Sequence, residues 1–193
     1  MARPKAFDPA DATREAMETF WERGYHATSM NDLLSDMKLN RGSLYDTFGD
    51  KKQLFMAALN EYERLGNELL FEELNKPGSA RDAIVEMFES AGETCVGPDG
   101  QKCCLGLKAA IELAPHDPDV LAWVRRVTKH REDVFAKVIE RGQREKEINP
   151  ELDPRTAARY LLTTLAGLKL LGTTAPRKNE ISEVVRLILT VLD

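Results

Sequence analysis

The sequence predicts an all-α protein. An Asp-Pro pair opens an apolar-periodic segment three times, at Asp8-Pro9, Asp117-Pro118 and Asp153-Pro154, which is the pattern of a helix N-cap followed by proline at the first helical position. Apolar residues recur at i, i+3, i+4 and i+7 through most of the chain, and no segment shows the alternation of a half-buried strand. We therefore expect about nine helices.

The first three predicted helices form a small N-terminal group. The first begins at Asp8-Pro9 and ends at Gly24, the second spans Ser29 to Met37, and the third spans Asn40 to Phe48. A short break at Lys38-Leu39 separates the last two. Two short helices joined by a tight turn predict a helix-turn-helix, whose second helix fits the major groove of DNA.

The remaining helices predict a larger C-terminal body. Caps, breaks and apolar stripes place them at residues 51–74, 79–96, 104–114, 117–144 and 157–171, with a last helix after Pro176. We expect a DNA-binding domain of residues 1–52 and an effector-binding and dimerisation domain of residues 53–193. The helix over 51–74 connects the two.

Polar residues on and beside the third helix are the candidates for DNA contacts. Arg41 suits guanine or phosphate, Asn40 suits adenine, and Gly42 allows close approach of the backbone. The N-terminal Arg3 and Lys5 form either a minor-groove arm or a frayed terminus. The full predicted set is Arg3, Lys5, Thr28, Ser29, Asn40, Arg41, Gly42, Ser43, Tyr45, Asp46 and Lys51.

The charge of the chain limits how it can bind DNA. The net charge is −5, and residues 1–52 hold eight Lys or Arg and nine Asp or Glu, a net charge of −1. Affinity must therefore come from a few placed cations, which include Lys52 as well as those above, and we expect binding as a dimer that weakens with salt. The sequence shows no signal peptide, membrane span or disulfide framework, so we expect a cytoplasmic protein without a cofactor.

Residues 20–55 read FWERGYHATSMNDLLSDMKLNRGSLYDTFGDKKQLF. This run resembles the DNA-binding domain of TetR-family transcriptional regulators at Phe20, Gly24-Tyr25, Ala27-Thr28-Ser29, Arg41 to Tyr45, Phe48 and Lys51. The resemblance implies a homodimer on palindromic operator DNA and a C-terminal domain that binds a small effector. Asp46 departs from the family, since many members carry His or another phosphate-approaching residue there, whereas Asp would accept from cytosine N4.

The C-terminal helices supply the predicted effector and dimer sites. Apolar residues with a few polar neighbours are the pocket candidates, namely Phe88, Leu107, Ile111, Trp123, Val127, Phe135, Tyr160 and Thr164. The last two helices carry more apolar surface than one bundle needs, so we expect a partner to cover Leu161, Leu165, Leu168, Val184, Ile188 and Val191. The alternative is that these helices close the core of their own chain.

Three cysteines form a second candidate sensing site: Cys95, Cys103 and Cys104. The stretch from Cys104 to Leu113 resembles a TetR subgroup whose helix starts Gly-Cys-Leu and which includes a repressor that senses electrophiles through this cysteine. Here Cys103 replaces the glycine. A helix N-terminus, with Lys102 and Lys108 near, would favour the Cys104 thiolate, which could also pair with Cys95 or a partner subunit. The alternative is cysteines packed in a core.

These features together predict a regulator and not an enzyme. No nucleophile stands beside a base in a recognisable motif, and no phosphate-binding glycine loop or chelating Cys and His spacing is present. We expect a ligand-responsive DNA-binding regulator, a repressor released by a small effector or by cysteine modification. The alternative is an all-α adaptor that does not bind DNA.

Overall fold

The computed structural model describes residues 7–193. Within this range the chain forms nine α-helices and two 3₁₀ helices, and no strand, which confirms the predicted fold class. In chain order the helices are α1 (Pro9–Arg23), α2 (Met30–Asp36), α3 (Arg41–Phe48), α4 (Lys51–Leu74), α5 (Ala80–Val96), η1 (Pro98–Lys102), α6 (Leu105–Glu112), α7 (Pro118–Arg144), α8 (Pro154–Gly172), α9 (Lys178–Leu189) and η2 (Thr190–Leu192).

Side-chain caps begin most of these helices. The Asp8 carboxylate accepts from the Ala10 N–H at 2.8 Å, and Ser29 forms a reciprocal capping box with Asp32. Asp153 accepts from the Thr156 N–H at 2.8 Å, so α8 begins at Pro154 and not at Ala157. These caps satisfy N–H groups that have no partner inside the helix.

The described chain divides into two compact units. The first holds the residues up to Gly66 together with Leu105–Leu121, and the second holds Asn67–Cys104 and Ala122–Asp193. Helix α6 therefore belongs with the N-terminal helices, although it lies far along the chain. The predicted boundary between residues 52 and 53 follows chain order and does not describe this grouping.

The first unit packs around aromatic rings from three of its segments. The ring centroids of Phe20 on α1 and Phe55 on α4 lie 4.9 Å apart, edge to face. Tyr25, in the turn after α1, lies 4.9 Å from Phe55. Leu33 of α2 and Leu44 of α3 are fully buried. This packing fixes the start of α4 against the helix-turn-helix.

The second unit is built around α5. Gly92 lets α9 approach closely, because a Cβ there would lie 3.0 Å from Ile181 Cγ2 and 3.3 Å from Val185 Cγ2. Phe88 is fully buried in the same core. None of the helices in the described range is long and apolar enough to cross a bilayer.

Three of the six predicted dimer residues need correction. Leu161, Leu168 and Ile188 are buried in the core of their own chain, because the apolar stripes of α8 and α9 that carry them pack towards α5. Leu165 and Val191 are half-buried against that core, and Val184 is 38% exposed. The outward apolar residues of the two helices are Tyr160, Leu170, Val184 and Leu187.

Candidate nucleic-acid interface

Helices α2 and α3 are joined by a tight turn whose backbone is fixed at Lys38. That residue has φ 54°, in the left-handed region that reverses the chain direction. Leu33, Met37 and Leu44 are buried and hold the two helices together. The turn leaves the opposite face of α3 towards solvent.

The outward face of α3 is polar and makes few contacts with the other residues of the range 7–193. Arg41, Gly42, Tyr45 and Asp46 are exposed. The Arg41 guanidinium makes one long contact, in which Nη2 donates to Asn31 Oδ1 at 3.4 Å. A Cβ on Gly42 would meet Asn40 Oδ1 at 3.4 Å, an ordinary contact. Within residues 7–193 no packing contact therefore requires glycine at position 42, where the missing side chain allows another surface to come close.

Three predicted DNA contacts also take part in the local structure. Thr28 is 1% exposed, and its hydroxyl donates to the Gly24 carbonyl at 2.6 Å, so its side chain is not offered to DNA. Asn40 caps α3 by accepting from the Ser43 N–H at 2.9 Å. This uses the oxygen that adenine recognition needs. Ser29 is occupied in the same way by its capping box with Asp32. Ser43 itself is half-buried.

The two lysines at the start of α4 differ in their partners. Lys51 Nζ lies 4.2 Å from the centroid of the Tyr25 ring, and partial burial lowers the pKa of this lysine from its ordinary value. Lys52 Nζ lies 2.8 Å from Asp117 Oδ2 and 2.7 Å from Asp119 Oδ2. Lys52 is therefore neutralised within its own unit, which corrects its prediction as a DNA contact. Arg3 and Lys5 lie outside the described residues.

Helix α6 is hydrogen-bonded to the end of α1 and to the turn that follows it. Lys108 Nζ donates to the carbonyl of Trp21 at 2.6 Å and to that of Glu22 at 3.1 Å. One turn further along α6, Glu112 Oε2 accepts from the backbone N–H groups of Tyr25 at 3.1 Å and His26 at 3.2 Å. A cation thus satisfies the carbonyl end of α1, and an anion satisfies the N–H groups beyond it.

Gly24 makes room for the Glu112 carboxylate. Its φ is +82°, and a Cβ there would lie 2.5 Å from Glu112 Oε1. These hydrogen bonds join residues that are 86 or 87 apart in the chain, so local sequence patterns do not predict them. The only local signal was that Lys108 and Glu112 are four residues apart and so share one face of α6.

The predicted effector residues do not come together in one lining. Phe88 and Phe135 lie inside the core of the second unit, whereas Ile111 is 70% and Tyr160 is 40% exposed. Leu107 and Thr164 are half-buried. Phe88 and Phe135 are therefore corrected to core residues, and Ile111 and Tyr160 to surface residues.

Trp123 and Val127 are the predicted effector residues on α7, and both are buried. The Trp123 Nε1–H is buried without a hydrogen-bond partner in the described part of the chain. A buried indole N–H normally finds an acceptor. Trp123 therefore stays a candidate for contact with an effector.

A groove of about 470 Å³ runs between α5 and α9 in the second unit. Apolar residues such as Val85 and Ile181 line it together with charged residues such as Glu89 and Arg186. Ion pairs lie at its two ends, Arg81 with Asp193 and Lys178 with Glu93 at 3.9 Å. None of the predicted effector residues lines this groove.

The cysteines occupy three different environments. Cys95 is 3% exposed, its thiol donates to the Leu168 carbonyl at 3.2 Å, and burial raises the pKa of that thiol. Cys103 has φ 60° and ψ −170°, a conformation that is nearly restricted to glycine and costs about 1–3 kcal/mol for other residues.

Cys104 immediately precedes α6, which begins at Leu105 and not at Cys104. The lysines expected to favour its thiolate have other partners. Lys102 Nζ lies 3.2 Å from Asp99 Oδ1, and Lys108 donates to the end of α1. Activation of Cys104 by these two lysines stays a prediction.

Comparison with known families decides the identity of the fold. Residues 13–58 match bacterial regulatory proteins of the tetR family, and residues 75–188 match the tetracyclin repressor-like C-terminal domain. The chain belongs to the TetR family. It is a DNA-binding transcriptional regulator and not an enzyme, and regulators of this family act as homodimers.

This TetR-family chain has similar relatives among curated proteins. It is 36% identical to the HTH-type transcriptional regulator YezE of Bacillus subtilis strain 168, over 100% of both chains. It is 26% identical to the transcriptional repressor ComR of Escherichia coli K12, over 87% of this chain and 80% of ComR.

Solved structures agree with this family fold. A cysteine mutant of the regulator CifR, complexed with 26-base-pair double-strand operator DNA, has a TM-score of 0.87 and 26% identity over 100% of both chains. The reduced form of E. coli NemR has a TM-score of 0.84 at 17% identity, covering 95% of this chain and 97% of NemR. The likeness to NemR concerns the fold alone.

Proposed function

We propose that this regulator is a repressor that binds palindromic double-stranded operator DNA as a homodimer and is released by a small effector or by cysteine modification. The observation that carries the DNA-binding part is the outward face of α3. Arg41, Tyr45 and Asp46 are exposed there around a glycine that the chain's own packing does not require. Such a face suits base and phosphate contacts in a major groove.

Two relationships support the repressor role and the operator. ComR, BdcR and DhaR, which this chain resembles, are transcriptional repressors. CifR, which has the same fold, is complexed with operator DNA. The alternative of an adaptor without DNA binding falls away with family membership. A repressor acts where the chromosome lies, so the proposed compartment is the cytoplasm.

Release requires that the effector-bound and DNA-bound states place the helix-turn-helix segments of the two subunits differently. The contacts of α6 supply the proposed route. Lys108 and Glu112 tie this helix to the end of α1 and to the turn before α2. Any displacement of α6 would then be passed to the helix-turn-helix through four hydrogen bonds.

The experiment that tests the proposal is selection of operator sequences from random double-stranded DNA by the purified protein. We expect enrichment of a palindrome whose half-sites are read by α3, about 34–36 Å apart or a multiple of one helical turn. Binding to that palindrome should resist nonspecific competitor and weaken steeply with salt. Failure to enrich any sequence at low salt would contradict the proposal.

A gel-shift titration on the selected palindrome tests the release. Reduced protein with and without N-ethylmaleimide would be compared with Cys104→Ser treated in the same way. Release of the wild type but not of the variant assigns sensing to Cys104. Release of neither leaves the operator function in place and assigns sensing to a reversible effector.

A further inference from the structure

The side chain of Lys51 lies over the face of the Tyr25 ring. Its ammonium nitrogen is 4.2 Å from the ring centroid, well within the roughly 6 Å over which an aromatic ring attracts a cation. Within residues 7–193 the Lys51 ammonium forms no ion pair, whereas that of the next residue, Lys52, lies 2.8 Å from Asp117 Oδ2. The ring face is therefore the direct contact that this part of the chain offers to the Lys51 charge.

Packing fixes the Tyr25 ring from several sides. Its centroid lies 6.1 Å from that of the Phe20 ring, stacked at 17°, and 4.9 Å from that of the Phe55 ring. Both phenylalanines are fully buried. His26 adds an edge-to-face contact at 5.4 Å. The ring that faces Lys51 is therefore anchored in the core of the first unit.

The backbones beside the two side chains are fixed as well. Glu112 Oε2 accepts from the Tyr25 N–H at 3.1 Å, which holds the turn that carries the ring. At the start of α4, the Asp50 carboxylate accepts from the Gln53 N–H at 2.8 Å, and Gln53 Oε1 accepts from the Asp50 N–H at 3.0 Å. This reciprocal cap encloses Lys51. Both the ring and the base of the lysine side chain are thus held in place without DNA.

Holding a lysine in place matters for a phosphate contact. The flexible stem of a lysine populates many rotamers, and a phosphate contact selects few of them at an entropic cost. The ring restricts the Lys51 stem in the free protein, because the ammonium is attracted to the ring face. Lys51 is also half-buried, and burial is the largest cause that lowers the pKa of its ammonium. Part of the ordering and of the loss of water therefore precedes DNA binding.

An aromatic ring and a carboxylate have different consequences for a DNA contact. The carboxylates of Asp117 and Asp119 neutralise Lys52. The Tyr25 ring is neutral, so Lys51 keeps its charge for the phosphate backbone and for the release of counterions. An ammonium carries several N–H donors, and those of Lys51 that point away from the ring remain for phosphate oxygens.

We propose that Tyr25 is a positioning residue for DNA binding, whose ring holds the Lys51 ammonium ready for a phosphate beside the start of α4. Helix α3 ends at Phe48, three residues before Lys51, and a cation so close to a helix in the major groove can reach the flanking backbone. This role rests on the proposed function, because Lys51 has a phosphate to contact only when α3 lies on DNA. Tyr25 acts through Lys51 and makes no DNA contact of its own.

A double-mutant cycle on the selected operator tests this role. Tyr25→Leu keeps an apolar side chain but removes the ring, and should weaken operator and nonspecific DNA binding alike by about fivefold for each subunit. In a Lys51→Ala background the same substitution should weaken binding by less than about twofold, because no ammonium remains to be positioned. In a Lys52→Ala background it should keep its full effect. Fluorescence anisotropy at fixed salt measures all of these affinities.

Tyr25→Phe separates the ring from the hydroxyl. It keeps the ring face and should bind operator within about twofold of the wild type. A loss as large as that of Tyr25→Leu would assign the effect to the hydroxyl and overturn the positioning role. Equal losses for Tyr25→Leu in the Lys51→Ala and Lys52→Ala backgrounds would overturn it too, because the substitution would then act through the packing of the first unit.

The ring contact itself is measured by NMR without DNA, with isotope-labelled lysine in the full-length protein. Ring currents should shift the Cε protons of Lys51 upfield in the wild type and in Tyr25→Phe, and Tyr25→Leu should lose this shift. A wild type without the shift overturns the contact. A shift without coupling in the double-mutant cycle overturns the role in DNA binding. A wild type that selects no operator contradicts the proposed function and this role with it, whereas the NMR shift still decides the ring contact.

Discussion

Helices α3 and α6 are each eight residues long, but their polar side chains have opposite uses. On α3, Arg41, Tyr45 and Asp46 are exposed, and within residues 7–193 the long contact from Arg41 to Asn31 is their one side-chain hydrogen bond. On α6, Lys108 and Glu112 both bind backbone atoms of the first unit. Exposed polar groups without internal partners are available for recognition, whereas partnered ones hold structure. This difference supports the proposal that α3 contacts DNA and that α6 positions the helix-turn-helix.

Replacing Arg41 should give the largest loss of operator affinity. A small loss would contradict the difference between α3 and α6. Arg41→Ala should lower operator affinity by roughly 1–3 kcal/mol for each subunit, because a base or phosphate contact is lost. The free energy of unfolding should change by less than about 0.5 kcal/mol, since the arginine is exposed. Fluorescence anisotropy at fixed salt and urea unfolding measure the two quantities.

Arg125→Ala is the matched control for this variant. Arg125 is an exposed arginine on α7, so the variant makes the same charge change away from the helix-turn-helix. Equal losses of operator affinity in the two variants would mean that net charge, and not contact by α3, sets the affinity.

Replacing Glu112 should give the next largest effect. Glu112→Ala leaves the N–H groups of Tyr25 and His26 without their acceptor, which should cost roughly 1–2 kcal/mol of unfolding free energy. Operator affinity should fall by about tenfold, because the turn before α2 is no longer hydrogen-bonded to α6 through Glu112. Glu112→Gln keeps an acceptor oxygen and should retain most of both quantities. If the alanine variant binds operator like the wild type, α6 does not position the head.

The sequence predicted the helix-turn-helix that contains α3 better than it predicted the contacts of α6. Caps such as Asp8 and Ser29 and the apolar periodicity are local signals, so the helices and the helix-turn-helix were readable from the chain. The hydrogen bond from the Tyr25 N–H to Glu112 joins residues that are 87 apart. The periodicity of apolar residues carries no information about such pairs. For the same reason the stripes of α8 and α9 did not show whether Leu161 faces its own core or a partner.

Cap residues show a second limit of sequence reasoning. Asn40 has the chemistry both to cap α3 and to read adenine, and the structure uses its oxygen for the cap. Thr28 likewise has a hydroxyl that suits phosphate but donates to Gly24 instead. The residue type limits which hydrogen bonds a side chain can form, and the surrounding structure determines which of them it does form.

The adjacent residues Lys51 and Lys52 of α4 allow the same test of partnered against unpartnered charge within one helical turn. Lys51→Ala should weaken operator and nonspecific DNA binding alike by several-fold and reduce the salt slope by about 1 for each subunit. Lys52→Ala should leave the slope unchanged, because Asp117 and Asp119 already neutralise Lys52. Titrations over a series of salt concentrations give both slopes. Equal slopes for Lys51→Ala and the wild type would remove Lys51 from the phosphate contacts.

The smallest expected effect concerns the pH dependence of stability through Asp117. The hydrogen bond from Lys52 holds the pKa of the Asp117 carboxyl below its ordinary value. A carboxyl whose folded pKa is depressed adds stability above its unfolded pKa of about 3.9, and that stability is lost as the pH falls through the folded value. Asp117→Asn should therefore be less stable than the wild type near neutral pH, and the two should converge in acid.

The asparagine keeps the oxygen that accepts from the N–H groups of Asp119 and Val120, so the substitution removes charge and leaves the cap of α7. Thermal midpoints measured from neutral pH down to about pH 3 follow the difference. In a Lys52→Met background the same substitution should have a smaller effect, because the largest cause of the depressed pKa is gone and only the hydrogen bonds from the N–H groups of Asp119 and Val120 remain. A difference of unchanged size there would assign the effect to the cap, and the link between α4 and the start of α7 would be structural without being electrostatic.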